Sequence, residues 1–340
     1  MDLRILAILG GAALLSFTVS ALSGRWLIPW LHKLHFGQTI REVGPAWHKK
    51  KQGTPTMGGF LFLLGALAAL AVMVPVCLLL GGADSFFGSN AAVTRFVAGL
   101  LLILCCGAIG FADDYIKVIK KRNLGLTGPQ KLFLQILVAA GYITSLYLCG
   151  DHMVWVPFAG EVDFGWWFFP FGLFIVVGTT NAVNLTDGVD GLCGSVTFLA
   201  LLTPMILSGW LYNTSQGLIA AAVAGGILGF LVWNLHPAKV FMGDLGSLAL
   251  GGALCAVTFG LRRPLLLIPI GVIYILETLS VILQVIYFKL THGKRLFKMS
   301  PIHHHFEMCG WSENKIVTVF SLVTAAGCVA AFLFEMLTRV

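Results

Sequence analysis

Charge is scarce in this chain of 340 residues: Asp, Glu, Lys and Arg make up 11% of it, where a soluble domain carries about 25%. With 58% hydrophobic residues and a mean hydropathy of +0.90, that scarcity excludes a soluble globular enzyme, a disordered chain and a nucleic-acid-binding module. No internal repeat, low-complexity stretch or soluble domain interrupts the sequence, which reads as one integral membrane domain over 1–340. No P-loop or kinase signature is present, so ATP is not expected as a donor. The eight cysteines (Cys77, Cys105, Cys106, Cys149, Cys193, Cys255, Cys309 and Cys328) lack Cys-x-x-Cys spacing and lie mostly in apolar runs. They read as small apolar residues, not as disulfides or metal ligands.

What the chain has in quantity is long apolar segments. A bilayer core of about 30 Å needs about 20 apolar residues per helix, and ten candidate spans lie near 3–22, 60–80, 93–112, 131–149, 166–184, 192–211, 217–235, 246–261, 264–288 and 315–337. The expected fold is therefore all-α, a polytopic bundle of about ten transmembrane helices. Ser20-Ala21-Leu22-Ser23 resembles a cleavage site only faintly, and Arg25 and Lys33 follow the first span instead of preceding it, so that span is expected to remain as a helix. Placing the loop 23–59 inside and alternating puts 17 of the 22 Lys and Arg residues on the inner side. That bias gives the expected topology: both termini outside and the active site at the cytoplasmic face. The net charge of +7 belongs to this topology, with no nucleic-acid partner implied.

The five inner loops hold nearly all the unusual polar residues. In the first, Lys49, Lys50 and Lys51 precede a Gly-rich turn, Gly53-Thr54-Pro55-Thr56-Met57-Gly58-Gly59, that opens a helix. Amides at such a start favour an anion such as phosphate, although a basic anchor with a flexible loop would read the same. The second begins Asp113-Asp114-Tyr115-Ile116-Lys117. Paired carboxylates beside a membrane need solvent, a partner or a cation; one could hold a metal while the other accepts a proton, and Lys117 stands three and four residues away.

The third loop, Asn181 to Leu192, packs Asn181, Asn184, Asp187 and Asp190 around two Asp-Gly-type turns. Its oxygen-rich composition suits a hard cation or a ligand with many hydrogen-bonding groups, without the spacing of an EF-hand. The fourth, Asn234 to Ser247, places Asp244 among glycines just before an apolar helix and Phe241 where it could stack on a flat ring. The fifth, 289–314, carries His303, His304 and His305, a consecutive triplet whose side chains diverge too far to close on one zinc. Glu277 is the one acid deep inside a span, and a structural pairing with Gln284 or Thr278 is expected for it. Carboxylates, lysines and glycine turns at one membrane face are the requirements of metal-assisted phosphoryl transfer between a soluble donor and a lipid acceptor.

The ordered motifs Thr-Pro-Thr-Met-Gly-Gly, Asp-Asp-x-x-Lys, Asn-x-x-Asn-x-x-Asp-Gly-x-Asp-Gly and Pro-Ala-Lys-Val-Phe-Met-Gly-Asp, from about residue 49 to 307, resemble those of the polyprenyl-phosphate N-acetylhexosamine-1-phosphate transferases. The run Pro301-Ile302-His303-His304-His305-Phe306-Glu307 narrows the resemblance to the branch that uses UDP-N-acetylmuramoyl-pentapeptide. The resemblance implies transfer of the phospho-sugar to undecaprenyl phosphate with Mg²⁺, releasing UMP and making the first lipid intermediate of peptidoglycan in the bacterial plasma membrane. It also implies a homodimer. By the same resemblance Asp113, Asp114 and Asp244 form the acidic core. Asp244 would be the main Mg²⁺ ligand, with Asn184 or Asp114 as weaker ones, and Asp113 would accept a proton from the lipid phosphate, whose second pKa is about 6. Lys117 and Lys131 would neutralise phosphate. Lys51, Gly188, Val189, Asp190, Asn234 and Phe241 would form the nucleoside pocket; Thr56, Asn184 and Asp187 would line the ribose and phosphates; His303, His304 and His305 would meet the diphosphate or muramoyl part, with His303 counted as catalytic.

Two other readings stand beside this one. A sister enzyme using UDP-N-acetylglucosamine shares the motifs but not the histidine triplet. A transporter would place its charges near the bilayer midplane and often show inverted repeats.

Overall fold

The computed structural model describes residues 3–33, 53–120 and 124–338, with the side chains of 83–85 excepted. Ten of its helices are long and apolar enough to cross a membrane. They are α1 (Leu3–Lys33), α2 (Gly59–Phe87, kinked at Gly82), α3 (Asn90–Ile119), α4 (Gly128–Leu148), α5 (Phe168–Thr186), α6 (Leu192–Trp210), α7 (Thr214–Asn234), α8 (Gly243–Gly260), α10 (Val272–Leu290) and α12 (Glu313–Leu337). Two short helices, α9 (Leu267–Ile270) and α11 (Ile302–Met308), and a hairpin of β1 (Met153–Val156) and β2 (Gly160–Asp163) complete the chain. Helices dominate because a lipid-facing backbone must satisfy its own N–H and C=O groups.

All ten expected spans are present, with three local differences. The first helix runs on to Lys33, well past residue 22. The expected ninth span starts late: Pro264 and Pro269 lack the amide hydrogens a continuous helix needs, and the chain passes through a 3₁₀ turn and α9 before α10 begins at Val272. In a fold expected to be all-α, the connection between α4 and α5 holds an antiparallel hairpin in which Val154 pairs with Val162. Its turn is made by Phe158 and Gly160, both at positive φ.

α7 and α8 are buried along most of their length and form the axis of the bundle. α1, α2 and α6 surround α7, while α3 and α5 flank α8. Small residues permit this closeness, since lipid supplies no hydrophobic drive and packing must come from close approach. A Cβ on Gly225 of α7 would lie 2.1 Å from the Ala13 carbonyl oxygen of α1. At one end of the bundle the connections carry the polar motifs. At the other, Asp151 sits between Arg95 and Arg262, and Arg263 pairs with Glu335 at 3.2 Å while its guanidinium covers the Trp155 ring.

Overpacking a helix crossing of this kind costs about 1–3 kcal/mol or more. Gly225→Leu is therefore expected to lower the thermal unfolding midpoint in detergent. Gly141→Leu, where a Cβ meets nothing within 4 Å, leaves it unchanged. Equal midpoints for the two variants would contradict the packing described.

Candidate active site

The site is built where α3 and α8 touch backbone to backbone. A Cβ on Gly110 would lie 2.0 Å from the Asp244 carbonyl oxygen, so no larger residue lets α3 pass the start of α8. Gly243 enters α8 at φ +70°, a left-handed conformation that glycine adopts freely. A side chain there would collide with Asp114 Oδ2 and Thr56 Oγ1. The loop before α2 is tied to the same place: Phe241 N donates to Pro55 O (2.9 Å), Gly58 N to Phe241 O (2.7 Å) and Gly59 N to Met242 O (3.1 Å). Thr56 is thereby buried beside the entry to α8.

Three carboxylates converge there, with an oxygen from each of Asp113, Asp114 and Asp244 within 4.8 Å of the others. Each is held differently. Asp113 accepts from Leu126 N at 2.8 Å and pairs with Lys117 at 2.6 Å. Asp114 accepts from Leu245 N at 3.0 Å, capping the first turn of α8, and lies 3.5 Å from Lys117. Asp244 receives Lys117 at 3.0 Å and Lys131 at 2.8 Å on one oxygen, and Asn184 Nδ2 at 2.9 Å on the other. Lys131 reaches this point because α4 starts where it does: Gln130 accepts from Thr127 N at 3.0 Å and Pro129 occupies the first turn. Asp113 and Asp114 are 3% exposed, whereas the Asp244 side chain keeps 20%. Asp244 is thus the carboxylate best placed to meet a ligand.

The third loop forms the adjoining wall. Asn184 Nδ2 also donates to Ser247 Oγ at 2.8 Å. Asp187, beyond the end of α5, keeps part of its surface exposed yet is closely surrounded by protein. Burial pushes its carboxyl well above the usual range, and the nearby Asp244, Asp114 and Asp190 push the same way. Asp190 is buried and accepts from Ala238 N and His236 Nδ1, both at 3.0 Å. Its own N donates to Glu313 at 3.2 Å. Asn234 uses both ends of its amide on the backbone, accepting from Gly191 N at 3.0 Å and donating to Val240 O at 2.8 Å. It therefore braces the third loop against the fourth. A cavity of about 670 Å³ opens beside Asp190, lined by Thr54, His236, Trp311 and Glu313 among others. Phe241 is half-buried and Val189 buried at this side of the site.

The histidine triplet lies in α11; the His303 and His304 rings lie 4.1 Å apart, centroid to centroid, but the three Nδ1 atoms take separate partners. His303 Nδ1 meets Glu277 at 3.0 Å, His304 Nδ1 meets Glu307 at 2.6 Å, and His305 Nδ1 accepts from Lys298 N at 3.1 Å. Glu277 accordingly pairs with His303, and not with Gln284 or Thr278 as expected. Gln284 is engaged by Leu296 N and Phe297 N. The sequence separation of 26 residues between Glu277 and His303 hid the pair.

The structure gathers Asp113, Asp114, Lys117, Lys131, Asn184 and Asp244 in one ion-pair network, with Thr56 and Asp187 at its edge. Asp190, Asn234 and Phe241 stand around the third and fourth loops, and His303 packs against Gly188. Lys51 lies outside the described residues. Ser247, His236 and Glu313 join the site without having been singled out. Ser247 stood at the end of the fourth loop, but Glu313 gave no local signal.

Comparison with known proteins shows the family. The family model "Glycosyl transferase family 4" matches residues 96–261. The model "Phospho-N-acetylmuramoyl-pentapeptide-transferase signature 1" matches residues 51–63. A phospho-N-acetylmuramoyl-pentapeptide-transferase of Clostridium perfringens is 47% identical over 323 residues, 94% of this chain and 96% of the relative. Those of Caldanaerobacter subterraneus (45%, covering 94% and 96%) and Listeria welshimeri (43%, covering 92% and 94%) are similar to it over nearly the same extent. At such identity sustained along nearly the whole chain, this protein belongs to the phospho-N-acetylmuramoyl-pentapeptide-transferase family.

Proposed function

We propose that this protein transfers phospho-N-acetylmuramoyl-pentapeptide from UDP-N-acetylmuramoyl-pentapeptide to undecaprenyl phosphate, releasing UMP, with the site on the cytoplasmic side of a bacterial plasma membrane. The observation that carries the reading is Asp244, a partly exposed carboxylate held by Lys117, Lys131 and Asn184 at the mouth of an apolar bundle. The histidine triplet and the matching relatives favour the muramoyl donor over UDP-N-acetylglucosamine.

Mg²⁺ fits the donor set. Three clustered carboxylates and the Asn184 side-chain oxygen are hard oxygen ligands of the kind it takes. Asp244 would be its main ligand, with Asp114 and Asn184 assisting. When bound, Mg²⁺ supplies charge neutralisation for the diphosphate oxygens.

The remaining work falls to the chain. Lys117 and Lys131 offer mobile ammonium groups that can pass from Asp244 to phosphate oxygens as the donor arrives, offsetting charge that grows on the leaving UMP. Asp113 receives the proton of the lipid phosphate, whose oxygen attacks the sugar-linked phosphorus while the bond to UMP breaks. Asp114 keeps the start of α8 in place. Thr56, Asn184 and Asp187 line the ribose and phosphates. Lys51, Gly188, Val189, Asp190, Asn234 and Phe241 shape the nucleoside end, with Phe241 stacking on uracil, and His303, His304 and His305 meet the phospho-sugar. One phosphoanhydride replaces another, which agrees with the missing ATP motif. A homodimer is part of the same proposal.

The test is UMP release by purified protein in detergent. UMP is expected only when Mg²⁺, the muramoyl donor and undecaprenyl phosphate are all present, and Asp244→Asn should reduce the rate at least 100-fold, in the range of lost transition-state electrostatics. UMP formed without the lipid would point instead to an enzyme-bound phospho-sugar with an Asp as nucleophile. Transfer from UDP-N-acetylglucosamine alone would overturn the substrate assignment.

Asn184→Ala removes a donor to both Asp244 and Ser247. As a weaker ligand that also steadies Asp244, its loss is expected to lower kcat about 10–100-fold and to raise the Mg²⁺ concentration for half-maximal rate. An unchanged Mg²⁺ titration would remove Asn184 from the metal's surroundings.

A further inference from the structure

α10 presents one polar face. Glu277, Ser280 and Gln284 are its buried polar residues, spaced by three and four positions. Gln284 Oε1 accepts from Leu296 N at 3.1 Å and Phe297 N at 2.8 Å, anchoring the segment that leads into α11. Two turns earlier on the same face, Glu277 meets His303 in α11 at 3.0 Å. Glu277 is 0% exposed and His303 1%. An acid so placed inside a span is expensive, so the fold keeps it for something more than packing.

The other imidazole nitrogen shows where it points. His303 Nε2 has no hydrogen-bond partner among the described residues. It faces the turn of the third loop, since a Cβ on Gly188 would lie 2.1 Å from it. Gly188 follows Asp187, whose carboxyl senses Asp244 and Asp114. A buried imidazole nitrogen left unpaired is a cost to the fold that a ligand can recover. Glycine at 188 gives the ring room to stand against the loop.

We propose that Glu277 is a positioning residue for the reaction. It holds the Nδ1 proton of His303, fixes the ring's tautomer and orientation, and thereby turns Nε2 toward the phospho-sugar of the donor as that group enters the Asn184–Asp190 turn. Carboxylates set imidazoles in this way in many active sites, where the hydrogen bond on one ring nitrogen determines the state of the other. The proposal rests on the functional reading above. It adds a residue that acts only through His303 and does not touch substrate.

The experiment is a double-substitution cycle on the full-length protein in detergent, with the muramoyl donor, undecaprenyl phosphate and Mg²⁺. Glu277→Gln should lower kcat about 10–100-fold, with the KM for undecaprenyl phosphate within about twofold and the melting temperature retained. His303→Asn should lower kcat at least as far. The double variant should be no worse than His303→Asn alone, because residues acting as a unit are not additive. Glu277→Asp, which keeps the charge, should exceed Glu277→Gln in activity, and it carries the cycle should the Gln variant not fold. Multiplying losses, an unaffected Glu277→Gln, or a loss that follows the melting temperature would each overturn the proposal. A readout without substrate separates it from the functional reading. The ¹⁵N spectrum of labelled protein, assigned with His303→Asn, should show a fixed Nδ1–H tautomer at His303 that Glu277→Gln abolishes. If that signature appears while the unsubstituted protein releases no UMP, the functional reading fails and the positioning of His303 by Glu277 stands. A His303 tautomer indifferent to Glu277→Gln overturns the positioning itself.

Discussion

Asp113, Asp114 and Asp244 bring three carboxyl oxygens within 4.8 Å of one another at the rim of an apolar bundle, and the surrounding structure is arranged around holding them there. Two unit charges at that separation repel by about 3–4 kcal/mol at an effective dielectric of about 20, so the cluster stands only with cations in its midst. Lys117 arrives from the same helix as two of the acids, while Lys131 must be brought from α4. Helix starts meet the rest of the demand: the first turn of α8 gives Asp114 a backbone amide, and the loop before α4 gives one to Asp113. The glycines at 110 and 243 belong to the same constraint. Without them α3 could not come close enough for its acids to reach α8.

Two ammonium groups against three carboxylates leave the cluster close to balance, and both lysines keep an exposed side. Lys117 keeps 32% of its side chain exposed and Lys131 17%. Side chains of this length move at small cost, and a diphosphate competes for them on favourable terms. The acids differ in that respect. Asp113 and Asp114 are tied to backbone amides, which fixes their direction, whereas Asp244 is held by side chains alone among the hydrogen bonds and ion pairs described. Rigid acids with movable cations suit a site that must exchange one charged ligand for another.

Much of this was legible in the sequence because its physics is local or periodic. Ten apolar runs become ten long helices, since a bilayer leaves the backbone little alternative. Asp113, Asp114 and Lys117 share one helical turn, so their proximity follows from spacing. What sequence reasoning could not reach lies in long-range pairing. Glu277 was matched to its helical neighbours, while its partner sits 26 residues on, in a helix too short to announce itself by periodicity. Glu313 reaches Asp190 across 123 positions. The hairpin at 153–163 was missed because strands of four residues carry too little alternation to read. Asn234, assigned by family resemblance to a nucleoside pocket, spends its amide on two backbone groups, and only the fold shows how such a residue divides its bonds.

The two ends of the bundle use charge for opposite purposes. At the end of the hairpin, Arg95 of α3 and Arg262 after α8 both meet Asp151 before the hairpin, and Arg263 joins Glu335 beneath the ring of Trp155. Those pairs tie α3, the hairpin and α12 to the end of α8. Removing one partner of a buried ion pair costs about 3–5 kcal/mol, and the second arginine on Asp151 and the burial of both Arg263 and Glu335 make these pairs fixed staples. At the other end Asp244 and Asp187 remain partly open, and His303 Nε2 and Glu277 Oε2 are buried without a hydrogen-bond partner among the described residues, as Arg95 Nε and Asp151 Oδ2 are at the hairpin end. Unspent hydrogen-bonding capacity is a cost to folding that ligand binding can recover. A bundle whose axis, α7 and α8, is fixed at one end can tolerate that cost at the other. What separates the two ends is exposure: Asp151 and Arg263 are buried against their partners, whereas Asp244 keeps an open side for a ligand.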